Sequence, residues 1–200
     1  MPRTQEANQR IREERREQIL DTASRVFAHK GLAGTRIVDI ATAGEMSQGL
    51  IFRYFASKEE VFAAVVEKAL QSATSLTQAA LQQPCSPLER LRWLLQIYLP
   101  GMWYKPEYVL VILNALNSEA TPQEVRELVL EQSKLTLQLY RQLIVEGQEA
   151  GEVLQGDPDM LTLTFAACLQ GLSSAVLHLP RVLGIDGPPD PEIVLKILKA

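Results

Sequence analysis

The chain reads as an all-α protein of about nine helices. Three observations predict this. Apolar residues recur at i, i+3, i+4 and i+7 through most of the 200 residues, which places them on one face of a helix. No segment alternates apolar and polar residues in the manner of a half-buried strand. The breaks between periodic segments carry helix punctuation: Ser, Thr or Asp before a first turn, Pro inside it, and Gly after a last turn.

The first helix is expected over residues 8–29. Ile19, Ala23, Val26 and Phe27 form its inward stripe, and Arg10, Arg12, Arg15 and Arg16 crowd its first half. Gly31 suits a left-handed cap after it. Thr35 is the expected N-cap of a second helix to residue 43, with Ile37, Ile40 and Ala41 inward. Ser47 caps a short third helix over 48–55. Ser57-Lys58-Glu59-Glu60 opens the fourth with a capping box. It runs to about residue 83, with Val61, Phe62, Val65, Val66, Ala69 and Leu70 on one side.

Pro84 to Pro87 breaks the chain. A fifth helix is expected over 88–99, ended by Pro100-Gly101. A sixth covers 106–117. Thr121-Pro122-Gln123-Glu124 starts the seventh, with Thr121 as N-cap, and Gly151 closes it near residue 149. Asp157-Pro158 opens the eighth, to residue 179. Residues 180–189 read as a loop, and Asp190-Pro191-Glu192 opens a ninth helix that runs to the C-terminus.

Composition bounds the function. The net charge of −4, with 46% apolar and 22% charged residues, excludes a protein that coats nucleic acid with one broad basic face. The charge is uneven, however: 10 Lys/Arg against 7 Asp/Glu over residues 1–58, and 10 against 17 over the rest. That pattern fits a local basic footprint on the first quarter. Cys85 and Cys168 have no metal-ligand spacing and imply no disulfide, as expected of a cytoplasmic protein. Cys168 lies in an apolar run where a buried thiol is expected. The N-terminus is too polar for a signal peptide, and no apolar run of about 18 residues predicts a membrane span. His29, His178 and the Asp157/Asp159 pair read as cap or packing residues. No nucleophile motif, metal cluster or phosphate-cradling loop appears, so neither metal nor cofactor is expected, and the chain does not read as an enzyme.

Residues 34–62 carry the chemistry. A helix that reads a DNA groove must be short, anchored on its inner face, and small or polar outside. Ile51 and Phe55 can anchor the third helix against Ile37, Ile40 and the first helix. Gln48, Gly49, Leu50, Phe52 and Arg53 then face the groove. Gln48 suits an adenine edge, Arg53 a guanine or phosphate, and Leu50 a thymine methyl, while Gly49 allows close approach. Ser47, Tyr54, Lys58, Thr35 and Arg36 lie where phosphate contacts would set register, Thr35 through its hydroxyl and nearby amides. On spacing alone a plain helical hairpin, with Phe52 and Tyr54 as core aromatics, remains equally open.

The same residues resemble the TetR family of bacterial transcriptional regulators. Gly31, Thr35, Ile40-Ala41, Ser47-Gln48-Gly49, Phe52, Tyr54-Phe55 and Ser57-Lys58-Glu59 stand at that family's spacing, over about residues 12–70. The family often has Tyr where this chain has Phe52, which removes a phenol that commonly reaches a phosphate. Its turn usually reads Ala-Gly, where this chain has Gly44-Glu45. Either Glu45 takes the left-handed position, or the turn shifts and Gly44 does.

The resemblance implies a helix-turn-helix DNA-binding domain over residues 8–56. A ligand-binding and dimerisation domain would fill 57–200. It also implies a homodimer on a double-stranded DNA operator. Ala167, Gly171, Ser174 and Ala175 form a small-residue stripe that suits close pairing of two copies, and intrachain packing is its alternative. Trp93, Tyr98, Met102, Trp103 and Tyr108, with Asn114 and Asn117, would line a pocket for a small, largely apolar or aromatic effector. Alternatively Trp93 and Tyr98 are core and Trp103 sits on a loop. The expected function is a ligand-responsive repressor. The rivals are a helical small-molecule carrier or enzyme, and a DNA-binding regulator without small-molecule control.

Overall fold

A computed structural model describes residues 5–200. Residues 1–4, part of the polar N-terminal stretch, lie outside the described residues. The chain forms ten helices: α1 Gln5–Gly34, α2 Ile37–Ala43, α3 Gln48–Phe52, α4 Lys58–Leu81, α5 Pro87–Tyr104, α6 Glu107–Asn117, α7 Gln123–Glu149, α8 Pro158–Ala175, α9 Leu179–Leu183 and α10 Pro191–Leu195. The all-α expectation holds, with one more short helix than the sequence indicated. Among the described residues the sole β-type pairing is an isolated antiparallel bridge between Val153 and Lys199.

Capping residues set most of the starts. The Ser47, Ser57, Ser86, Asp157 and Asp190 side chains each accept a backbone N–H of the first turn. In α4 the Glu60 carboxylate reaches back to the amide of Ala56, at 2.5 Å, one residue further than expected. Thr121 does not cap α7: its hydroxyl is buried without a partner, and Pro122 holds the cap position. Pro100 does not end α5, which continues to Tyr104. Leu99 and Met102, on either side of the proline, are both buried, and this packing outweighs one lost helical hydrogen bond. The last stretch leaves the helix at Leu195. It turns back so that Leu154 N–H donates to the Leu198 carbonyl at 2.8 Å, with Leu198 buried.

Gly31 takes φ 65° and ψ 175°, a region open essentially to glycine. It therefore kinks α1 instead of capping it. Two cores result. The first gathers Ile19, Leu20, Phe27, Ile40, Ile51, Phe55 and Phe62 with Val111, Ala115, Val125 and Val129. α6 and the start of α7 thus share a core with α1–α4. Phe27 and Phe62 meet edge to face at 5.0 Å. The second core joins Leu91, Leu95, Leu99, Tyr140, Leu143, Phe165, Leu169 and Leu195. α4 spans both cores and lies along α7. Among the described residues no helix is long and apolar enough to cross a membrane.

Candidate nucleic-acid interface and ligand cavity

α3 is anchored on one side and exposed on the other. Its inner side chain Ile51 and the following Phe55 are buried in the first core, which fixes the helix against α1 and α2. Ser47, Gln48, Gly49, Phe52 and Arg53 are exposed and Leu50 is half-buried. Phe52 is 51% exposed, so it is no core aromatic, whereas Tyr54 packs on the core edge. The Ser47 hydroxyl oxygen accepts the Leu50 amide at 3.1 Å. Arg36, exposed, caps α2: its amide donates to Asp39, whose carboxylate also pairs with Lys30 at 2.9 Å. Lys30 and the Arg36 amide hold the Asp39 carboxyl below the ordinary carboxylate range.

The turn before α3 settles the two sequence alternatives. Glu45 takes the left-handed conformation, φ 50°. Gly44 has φ −99° and serves a different need. A Cβ there would lie 3.2 Å from Thr22 of α1 and 2.3 Å from the Met46 methyl. Glycine allows α1 and the turn to approach.

Two of the expected phosphate contacts make hydrogen bonds within the fold. Thr35 is fully buried, and its hydroxyl donates to the Gly31 carbonyl at 2.7 Å, which the kink leaves open. That hydroxyl cannot reach DNA. Lys58 donates to the carbonyls of Leu32 and Thr35, both at 3.0 Å. Its ammonium closes the end of α1, as cations do at helix C-termini.

A cavity of about 540 Å³ opens between α4, α5, α6, α7 and α8. Of the expected lining, Tyr98, Met102 and Tyr108 are present. Trp93 packs on the second core, and Trp103 is half-buried outside the cavity. Asn114 donates weakly to the Phe27 and Ala28 carbonyls, at 3.4 and 3.3 Å, so it ties α6 to α1. Asn117 donates to Leu113 of its own helix. Both asparagines are spent on the fold. The Tyr98 hydroxyl meets Ser173 Oγ at 2.9 Å, and Ser173 donates onward to the Leu169 carbonyl, so Tyr98 is the donor. Sequence reading missed Ser72, Lys105, Ser133 and Gln170 on the wall. Lys105 had one signal: it is the only cation between Arg92 and Arg126. A larger hollow of about 720 Å³ runs along α1 beside the turn, but its charged wall, from Arg10 to Glu45, is a solvated groove.

On α8, Ala167, Gly171 and Ser174 are exposed and Ala175 half-buried, with Met160 and Leu163 exposed on the same helix. Cys168 is half-buried, less enclosed than expected, and burial raises its thiol pKa.

Comparison with known proteins agrees with this architecture. The family profile described as "Bacterial regulatory proteins, tetR family" matches residues 19–65, and that described as "Tetracyclin repressor-like, C-terminal domain" matches residues 84–174. The chain belongs to the TetR family. The HTH-type transcriptional regulator BetI of Rhizobium meliloti is 28% identical over 115 residues, 58% of this chain and 57% of that protein. The chain therefore spans little over half of that relative's length. The structure of the TetR regulator PfmR from Thermus thermophilus superposes with TM-score 0.71 at 21% identity, covering 88% of this chain and 92% of that one. A putative transcriptional regulator from Saccharomonospora viridis, in complex with choline, gives TM-score 0.72 at 25% identity, covering 92% and 94%. TetR relatives are named as transcriptional regulators, not enzymes. Against the TetR pattern, the two departures of this chain, Phe52 on α3 and Glu45 in the turn before it, are both exposed.

Proposed function

We propose that the chain is a homodimeric transcriptional repressor that binds a roughly palindromic operator through α3 and leaves it when a small molecule fills the cavity. The observation that carries the reading is the face of α3. Gln48, Gly49, Phe52 and Arg53 stand exposed on a helix whose other side is locked by Ile51 and Phe55. With the Thr35 hydroxyl buried and the Lys58 ammonium bonded to two carbonyls, Arg36, Ser47 and the half-buried Tyr54 are the foremost phosphate contacts. Leu50 adds a contact at the groove edge.

The exposed small stripe of α8, Ala167, Gly171 and Ser174 with Ala175, is the proposed pairing surface. Two α3 helices related by a two-fold axis would meet successive major grooves about 35 Å apart. The cavity is the effector site, since its volume falls in the range of small-molecule sites. Tyr108 lies both on that cavity and against Asp21 of α1, so occupancy can bias the DNA-binding helices. The Saccharomonospora viridis neighbour holds choline, but here no Asp or Glu lies among the lining residues, so a cation would find no counter-charge.

The test is fluorescence anisotropy on DNA from immediately upstream of the chain's own coding region, across a salt series. Salt-sensitive binding that unrelated DNA does not compete away is expected. Binding no tighter than to random DNA, both there and after selection from a random pool, would remove the assignment.

A further inference from the structure

We infer that the effector is an amphiphilic carboxylate, its apolar body inside the cavity and its anionic head on Lys105 at the rim. This rests on reading the cavity as an effector site. The wall is mostly apolar, with Leu76, Met102, Ile112 and Leu113 among its residues. Lys105 is its only charged side chain, and it is exposed where α5 gives way to α6. Among the described residues Lys105 forms no ion pair within 4 Å and acts on Asp21 only at longer range, whereas nearby Lys68 is taken by Glu17 at 2.5 Å and Asp21 at 2.7 Å. The rest of the wall offers an anion no charge: the Tyr98 hydroxyl is committed to Ser173 and that of Tyr108 to Asp21, and Ser72, Ser133 and Gln170 are neutral.

A charge without a partner is costly to bury, so an anionic head must stay at the edge, where Lys105 can meet it in contact with water. An apolar chain gains from every methylene taken out of water, so only a molecule with both parts uses the whole site. A cation would be placed beside Lys105 with no carboxylate on the wall to offset it. A neutral alcohol would bury its chain equally well but lose the ionic contact.

The experiment displaces the uncharged fluorescent probe Nile red from the full-length protein with straight-chain carboxylates, alcohols and trimethylammonium salts, each below its micellar concentration. Affinity is expected to rise about fourfold per added methylene until the cavity is full. The decanoate should bind about fivefold more tightly than decanol, and decyltrimethylammonium most weakly. Lys105→Met should remove the preference for decanoate over decanol, and Lys105→Arg should restore it. Equal binding of the three head groups, a preference for the ammonium, or no displacement by any of them would overturn the inference. The underlying reading is checked separately with the probe alone. If Nile red finds no site, or binds Leu113→Trp as well as the parent, the cavity is not a ligand site at all.

Discussion

The hydroxyl of Tyr108, on α6, donates to Oδ1 of Asp21, on α1. The same oxygen accepts Lys68 of α4 at 2.7 Å, and the Lys68 ammonium lies 5.4 Å from the centre of the Tyr108 ring. Three helices therefore close on one carboxylate, and one of the residues that closes them faces the cavity. A ligand that repositions Tyr108 must break or keep this junction. In the proposed mechanism this junction is the contact through which the cavity would act on α1.

Asp21→Asn should destabilise the protein at pH 7, with a pH dependence of known sign. Burial pushes the Asp21 carboxyl up, but Lys68 and Tyr108 outweigh it and hold it below its ordinary 3.8. Burial works against the Lys68 ammonium too, yet the Asp21 and Glu17 hydrogen bonds hold it above its ordinary 10.5. The carboxylate's contribution is thus complete above the ordinary carboxylate value and lost as pH falls through the lower folded value. The ammonium's is complete below its ordinary value and lost as pH rises through the higher folded one. The junction is partly exposed, so the loss should be under about 1 kcal/mol. Urea denaturation should give a constant gap between parent and variant from about pH 5 to 9, closing in acid. A gap that vanishes at neutral pH would show that the junction contributes nothing.

Gly49→Ala should strengthen the fold and weaken DNA binding. An added Cβ would meet nothing nearer than Ser47 Oγ at 4.0 Å, so the protein itself does not require glycine there. Alanine in a helix is favoured over glycine by about 0.8–1 kcal/mol. On the proposed groove-facing side, however, the methyl lies between α3 and the bases. Unchanged operator affinity in a stabilised Gly49→Ala protein would turn α3 away from the groove.

Lys58 and Arg53 should separate under salt. Lys58→Met removes two charge-assisted bonds to the Leu32 and Thr35 carbonyls and should cost about 1.5 kcal/mol of stability. Its slope of log affinity against log salt should stay that of the parent. Arg53→Ala, exposed on α3, should leave stability alone and reduce that slope by about one. The reverse assignment of the two effects would restore Lys58 as a phosphate contact.

How far the sequence carried this picture depends on the range of each interaction. Helix existence and the inward anchors Ile51 and Phe55 were legible, because periodicity and caps are encoded within a few residues. The roles of Lys58, Thr35 and Asn114 were not. Lys58 reaches carbonyls 23 and 26 residues away, Thr35 fills a gap made by the Gly31 kink, and Asn114 bonds helix α1 from 86 residues downstream. Such partners exist only once the helices pack. Pro100 misled for the opposite reason: a local helix breaker was overruled by the burial of Leu99 and Met102. The cavity wall was half legible, since aromatic residues concentrate there but helical phase decides which of them face inward.

Glu45→Gly should raise stability modestly. A left-handed φ of 50° strains a residue with a Cβ by about 1–2 kcal/mol. Glycine's freer unfolded state takes back about 0.5–1 kcal/mol, leaving a net gain of about 0.5 kcal/mol, or one to two degrees in Tm. Glu45→Ala, which removes the charge and keeps the strain, should show no such gain. Equal melting of the two variants would mean that the turn relaxes around either residue.

Gly171→Arg should give a folded monomer. Gly171 is exposed, and a Cβ there would meet nothing within 4 Å, so one copy can accept the larger side chain without repacking. In a two-fold pair the same position meets its counterpart's surroundings, and both copies would bring a guanidinium into a stripe of Ala167, Ser174 and Ala175 that offers it no carboxylate. Burying unpaired charge there should raise the dimer dissociation constant by at least about 100-fold. Light scattering should report one chain per particle while circular dichroism and melting of the monomer stay close to the parent's. Operator binding should fall with it, since a single α3 loses the second half-site. A variant that still scatters as a dimer would move the pairing surface off α8, and the exposed apolar residues of α9, Val182 and Leu183, would be the next to substitute.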